Sequence, residues 1–151
     1  MRRIEIQVKR LEISTANEIP EIKVVRNVRI DINHTTQPPE LYSRNSIRSR
    51  HKISVDYYEE EGGRRKEIGN ADCNILVLIS DENEDEIRNI YDIWTNQGYN
   101  NLPLDVRVDI ESKISLQVLP VVGIAAEKAR LPPPIQPFAF SPRPAPGHSP
   151  K

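Results

Sequence analysis

A chain of 151 residues, 37% of them apolar and only 5% aromatic, fits one domain with a modest core. A net charge of −1 gives no overall field for nucleic acid, and the single cysteine, Cys73, excludes an internal disulfide framework. The amino terminus shows no signal-peptide pattern, and no run approaches the roughly 20 apolar residues of a membrane span, so a soluble cytosolic protein is expected. Charge is unevenly placed, at +4 over residues 1–50 and −5 over the remainder.

In RRIEIQVKRLEIS, Ile4, Ile6 and Val8 alternate with polar residues, which is the period of a half-buried strand. The apolar phase then slips by one residue before Leu11 and Ile13, so a bulge is expected near Lys9 and Arg10. A turn is expected over Ala16 to Pro20. A second strand follows, with Ile22, Val24 and Val25 leading into the alternation of Val28, Ile30 and Ile32. The polar stretch Thr35 to Arg50, with Pro38-Pro39, reads as a long connection. Its arginines Arg44, Arg48 and Arg50 fit a solvated loop better than a nucleic-acid contact, because only Tyr42 is interleaved with them.

The third strand is HKISVDYYEEE, with Ile53, Val55 and Tyr57 on one face. Gly62-Gly63 then signals a tight hairpin, which sets Glu59, Glu60 and Glu61 against Arg64, Arg65 and Lys66. In the fourth strand Ala71, Cys73, Ile75, Val77 and Ile79 share one face and Leu76 and Leu78 the other. Such a strand is expected to be central or covered on both sides. Cys73 reads as a small buried hydrophobe.

An acidic helix start follows, with Ser80 or Asp81 as cap, and Ile87, Ile90, Tyr91 and Trp94 as its apolar stripe. The last long element centres on residues 110–129. Ile110, Ile114, Val118, Val121, Val122, Ala125 and Ala129 recur at helical steps. Pro120 should kink this helix, and Pro132 to Pro134 should end it. Over residues 104–118 an alternation of strand type competes with the helical reading. Gly123, Ala125, Ala126 and Ala129 make a narrow face, suited to packing on the sheet or on another subunit. The tail from Leu131 holds eight of the thirteen prolines and is expected to be extended, and disordered after Phe140. Pro134 and Pro137 have the spacing of proline-groove ligands, which is common by chance in such tails.

The chemistry of an enzyme is missing from the sequence. His34, His51 and His148 are scattered over loops or a strand start, with no metal-ligand spacing and no histidine placed to activate Cys73. Phosphate-loop, dinucleotide and nucleophile-elbow patterns are absent. No catalytic residue, metal or cofactor is therefore expected.

Four strands, an acidic helix and a long helix running into AAEKARLPPPIQPF resemble the SecB family of export chaperones. The residues that carry the likeness are Leu131, Pro132, Pro133, Pro134, Ile135 and Phe138. The resemblance implies an α+β fold over residues 1–138, a four-stranded antiparallel sheet with two helices, ahead of a Pro-rich tail at 139–151. It also implies ATP-independent binding of unfolded or pre-export polypeptides in apolar grooves at the sheet margins, a homotetramer, and a translocase or antitoxin partner. The basic front half departs from the acidic family members, which weakens docking to the SecA ATPase. Candidate client-binding residues are Ile114, Val118, Val121, Val122, Tyr57, Tyr58 and Trp94. Two readings compete: a nucleic-acid module rimmed by Arg2, Arg3, Arg44, Arg48, Arg50, Arg64 and Arg65, and an adaptor engaged through the proline tail.

Overall fold

A computed structural model describes residues 1–15, 28–132 and 134. Five strands and three helices follow in order: β1 (Arg3–Thr15), β2 (Val28–Thr36), β3 (Glu40–Ser43), β4 (Ser46–Glu61), β5 (Arg64–Ser80), α1 (Glu84–Gln97), α2 (Leu104–Gln117) and α3 (Leu119–Lys128). A short 3-10 turn, Tyr99–Asn101, joins α1 to α2. The expected turn at 16–20, the lead-in at 22–25, the domain boundary at 138, the Pro134–Pro137 spacing and the tail lie wholly or partly outside the described residues.

The sheet is antiparallel, in the order β1-β5-β4-β2, with β3 pairing on β4. Its spine is the β4–β5 hairpin. Glu61 pairs with Arg64 across Gly62 and Gly63, whose φ values of 56° and 79° define a two-residue primed turn. The opposed charges Glu59, Glu60 and Glu61 and Lys66, Arg65 and Arg64 fall in register, as expected. The bulge expected in β1 is present, since pairing with β5 shifts between Val8 and Arg10. The apolar phase of β1 therefore stays on the inner face despite the slip.

The stretch read as a long connection is mostly strand. β2 continues to Thr36, β3 occupies Glu40–Ser43, and β4 begins at Ser46. The β3 side chains are all exposed, so no apolar alternation marks them. Their pairing comes from the neighbouring ladder, with Leu41 opposite Ile47.

Both long helical units lie on one face of the sheet. Ile87, Ile90 and Trp94 of α1, and Val106, Ile110, Ile114, Val118, Val122 and Ala126 of α2–α3, close over Ile53, Val55, Ala71, Cys73, Ile75, Val77 and Ile79. β5 is central, as expected, and among the described residues the helices cover one of its faces. Leu76 and Leu78 are half-buried among polar neighbours on the open face, opposite Gln7 and Glu5 on β1 and Arg50 and Arg48 on β4.

The competition over residues 104–118 resolves as helix. Val106, Ile110, Ile114 and Val118 are fully buried at steps of four, whereas Val108 and Leu116 are exposed. The helix breaks at Val118, two residues before Pro120, whose missing N–H cannot bond the carbonyl of Leu116. The helix end is not made by the prolines. Arg130 adopts φ 61°, the N–H of Leu131 donates to the carbonyl of Ala126 (2.8 Å), and that of Arg130 donates to Glu127 (3.0 Å). This left-handed closure ends the helix before Pro132 is reached. The α1 cap is also displaced: Asn83, not Ser80 or Asp81, accepts from the N–H groups of Asp85 and Glu86.

Candidate functional site

Two of the three histidines are not scattered. His34 on β2 and His51 on β4 stand on the inner face, their rings stacked with centroids 4.9 Å apart. His34 Nε2 lies 2.7 Å from His51 Nδ1. His51 Nε2 is 2.6 Å from the hydroxyl of Ser49. On the other side, His34 Nδ1 lies 2.8 Å from Glu111 Oε1 of α2, which also accepts the hydroxyl proton of Tyr99 at 2.8 Å. The result is a continuous chain: Ser49, His51, His34, Glu111, Tyr99. Its members come from two strands, the 3-10 turn and a helix.

Aromatic rings cover most of the chain, with His34 part-buried at its centre. Trp94 meets His51 edge-on at 5.7 Å, and Tyr99 meets His34 at 5.5 Å and Trp94 at 5.4 Å. Ser49, His51, Glu111 and Tyr99 are buried. Burial, and then the charge that His34 can carry, hold the His51 imidazole well below the usual histidine range. Burial and the neighbouring Glu111 carboxylate push the Tyr99 hydroxyl up, so it stays a proton donor. Burial likewise raises the Cys73 thiol, which sits in the core as a hydrophobe. His148 lies outside the described residues.

Placing these histidines in a loop and at a strand start hides the chain, although the sequence carries a signal for it. His34 continues the inward phase of Ile30 and Ile32, and His51 shares the phase of Ile53 and Val55. A polar residue in phase with an apolar strand face needs a buried partner. Glu111, one residue past Ile110 in the apolar stripe of α2, is the matching signal.

The candidate client residues divide into two groups. Ile114, Val118, Val122, Tyr57 and Trp94 are core residues, and Tyr58 is buried beneath the Arg65 guanidinium, 3.8 Å from its ring centroid. Burial pushes the Tyr57 hydroxyl up to about 12. Val121 alone of the seven is open, at 39% exposure. It belongs to an uncovered apolar series along α2–α3 with Leu104, Val108, Leu116 and Ile124. Six of the seven are thus buried, and Val121 stands at the surface.

Three of the seven arginines considered for a basic rim are held by carboxylates. Arg2 binds Asp109 (2.5 Å) and Asp105 (3.1 Å), tying the start of β1 to α2. Arg48 binds Glu40 and covers Tyr42, and Arg65 binds Asp31 and Glu67. Among the described residues no group of His, Cys, Asp and Glu has the geometry to hold a metal ion. No helix among them is long and apolar enough to cross a membrane.

No family model matches the sequence, and no curated protein matches it. The comparison of structures does find a likeness. The SecB-like chaperone Rv1957 of Mycobacterium tuberculosis, solved in complex with a ChAD peptide from the Rv1956 HigA1 antitoxin, superposes with a TM-score of 0.64 over 94% of this chain and 93% of its own, at 12% sequence identity. The fold is SecB-like. At that identity the likeness lies in the path of the chain, so the expected α+β sheet-and-helix architecture holds while the side chains differ almost throughout.

Proposed function

We propose that this protein is an ATP-independent holdase that binds extended, unfolded polypeptides along α2–α3. The observation that carries the reading is the uncovered apolar series Leu104, Val108, Leu116, Val121 and Ile124 on the long helical unit of a SecB-like fold. Each such side chain covered by a client contributes on the order of 1.5–3 kcal/mol, so a few contacts hold a chain without a fixed sequence. Val121 is the directly accessible member of the site. Ile114, Val118, Val122, Tyr57, Tyr58 and Trp94 lie behind it and become available only as the packing yields. Export and a homotetramer are further parts of the proposal. The structural neighbour holds an antitoxin peptide, which makes an antitoxin segment the first partner to test ahead of a translocase.

The test mixes the purified protein with a reduced, slow-folding client at equimolar amounts and follows aggregation by light scattering. Delay of aggregation is expected. The double variant Val121→Ser, Ile124→Ser should weaken client affinity about tenfold or more, because two exposed apolar side chains no longer cover the client. An unchanged aggregation curve with the natural chain would overturn the reading.

A further inference from the structure

The buried chain has a limited capacity for protons. With both imidazoles neutral and Glu111 ionised, each link holds one hydrogen: Ser49 donates to His51 Nε2, His51 Nδ1 to His34 Nε2, and His34 Nδ1 to Glu111, while Tyr99 donates to the same carboxylate. One further proton fits if His51 changes tautomer and Ser49 turns its hydroxyl away. A second does not fit on the imidazole pair. It would set two N–H groups head to head across 2.7 Å, in a site walled by Trp94 and Tyr99.

We propose that the Ser49–His51–His34–Glu111–Tyr99 chain is a proton-operated latch that holds the helical layer on the sheet and releases it in mild acid. His34 and His51 belong to the sheet, whereas Tyr99, Trp94 and Glu111 belong to the covering layer. Opening at this place therefore loosens α1, the 3-10 turn and α2 together, while the core contacts and the bonds from Arg2 to Asp105 and Asp109 still hold α2. Each element packed here presents a group to the pair. Ser49 flanks His51 on β4, Ile75 faces it from β5, Trp94 from α1 and Tyr99 from the turn. Glu111 of α2 binds His34, and Arg107 of α2 acts on Tyr99 through space.

Proton counting gives the sign. Below about pH 6.5 an unfolded chain protonates both imidazoles, whereas the closed latch accepts at most one proton on the pair. The open or unfolded state thus binds one proton more. Closure weakens as pH falls, about tenfold in its equilibrium constant per pH unit. The neutral form of His51, kept by burial, agrees with this direction. If the protein is a holdase, the same release uncovers Ile114, Val118 and Trp94 to clients; that consequence rests on the holdase reading, and the latch does not.

The experiment uses the full chain. Histidine ring resonances are followed by NMR from pH 8 to pH 5, together with the fluorescence of Trp94, the only tryptophan, and amide exchange in α2. One imidazole of the pair should stay unprotonated in the folded protein through the pH range in which a free imidazole gains its proton. Exchange in α1 and α2, corrected for its intrinsic pH dependence, should rise about tenfold per pH unit below about 6.5. His51→Gln should abolish that rise. Should the variant fail to fold, the resonances of the natural protein decide alone. Two rings titrating normally near pH 6.5, with the fold intact and exchange unchanged, would overturn the latch. A working latch with no client capture at any pH would overturn the holdase reading only.

Discussion

Among single residues, the SecB-like architecture depends on contacts that leave no space. Gly69 on β5 is one. A Cβ there would lie 2.9 Å from Leu131 Cδ1 and 3.0 Å from the carbonyl of Ser14. Leu131 is buried immediately after the left-handed turn at Arg130, so the end of α3 is seated on bare strand backbone. Gly69→Ala should destabilise by about 1–3 kcal/mol. Gly69→Ala combined with Leu131→Ala should cost less than the sum of the two, because the clash with Leu131 vanishes while the approach to the Ser14 carbonyl remains; urea unfolding of the four proteins measures the coupling. Asn83 is a simpler case. Its side chain satisfies two helix N–H groups, at 3.0 Å and 3.3 Å. Asn83→Ala should cost about 1 kcal/mol in the same assay.

Among the strands and helices, the sequence is informative wherever a period or a turn signal is long enough to read. The phase slip between Val8 and Leu11 marks the β1 bulge because a one-residue slip otherwise inverts the strand. Gly62-Gly63 marks the hairpin because both positions need φ above zero. Gly62→Val should therefore cost about 1–2 kcal/mol and shift the thermal midpoint down, whereas Gly62→Asn should be close to neutral. What could not be read depends on neighbours. The four residues of β3 have no pattern of their own, and only the ladder with β4 makes them a strand. The cap at Asn83 competes with equally suitable residues at Ser80 and Asp81. Asp81 instead accepts the Asn83 N–H at 2.9 Å and lies 3.5 Å from the amino terminus, and the backbone hydrogen bond holds its carboxyl below the usual range. The histidine chain is legible only as polar residues standing in phase with apolar ones. Which partner answers them is fixed by packing between β2, β4 and α2, which periodicity does not describe.

Considering the molecule entire, one face of the sheet carries all the described helices and the other carries none. On the helical side, Leu104, Val108, Leu116, Val121 and Ile124 of α2–α3 are exposed. These apolar residues are open in the isolated chain, so the mass in solution is informative. An assembly that buries Leu104, Val108, Leu116 and Ile124 should dissociate when Leu116 and Ile124 are changed to Glu, as read by light scattering, while the thermal midpoint of the domain changes little, because neither residue is in the core.

The pairing of β1 with β5 has a consequence during synthesis. Arg3 meets Ser80, and the ladder runs back from there to Thr15 opposite Gly69. β1 leaves the ribosome before the rest of this sheet and must therefore wait for its last strand. At about 5–20 residues per second, that interval is about 4–16 s. During it Ile4, Ile6, Leu11 and Ile13 have no β5 partner, and a nascent chain halted before Arg64 carries β1 unpaired and sticky.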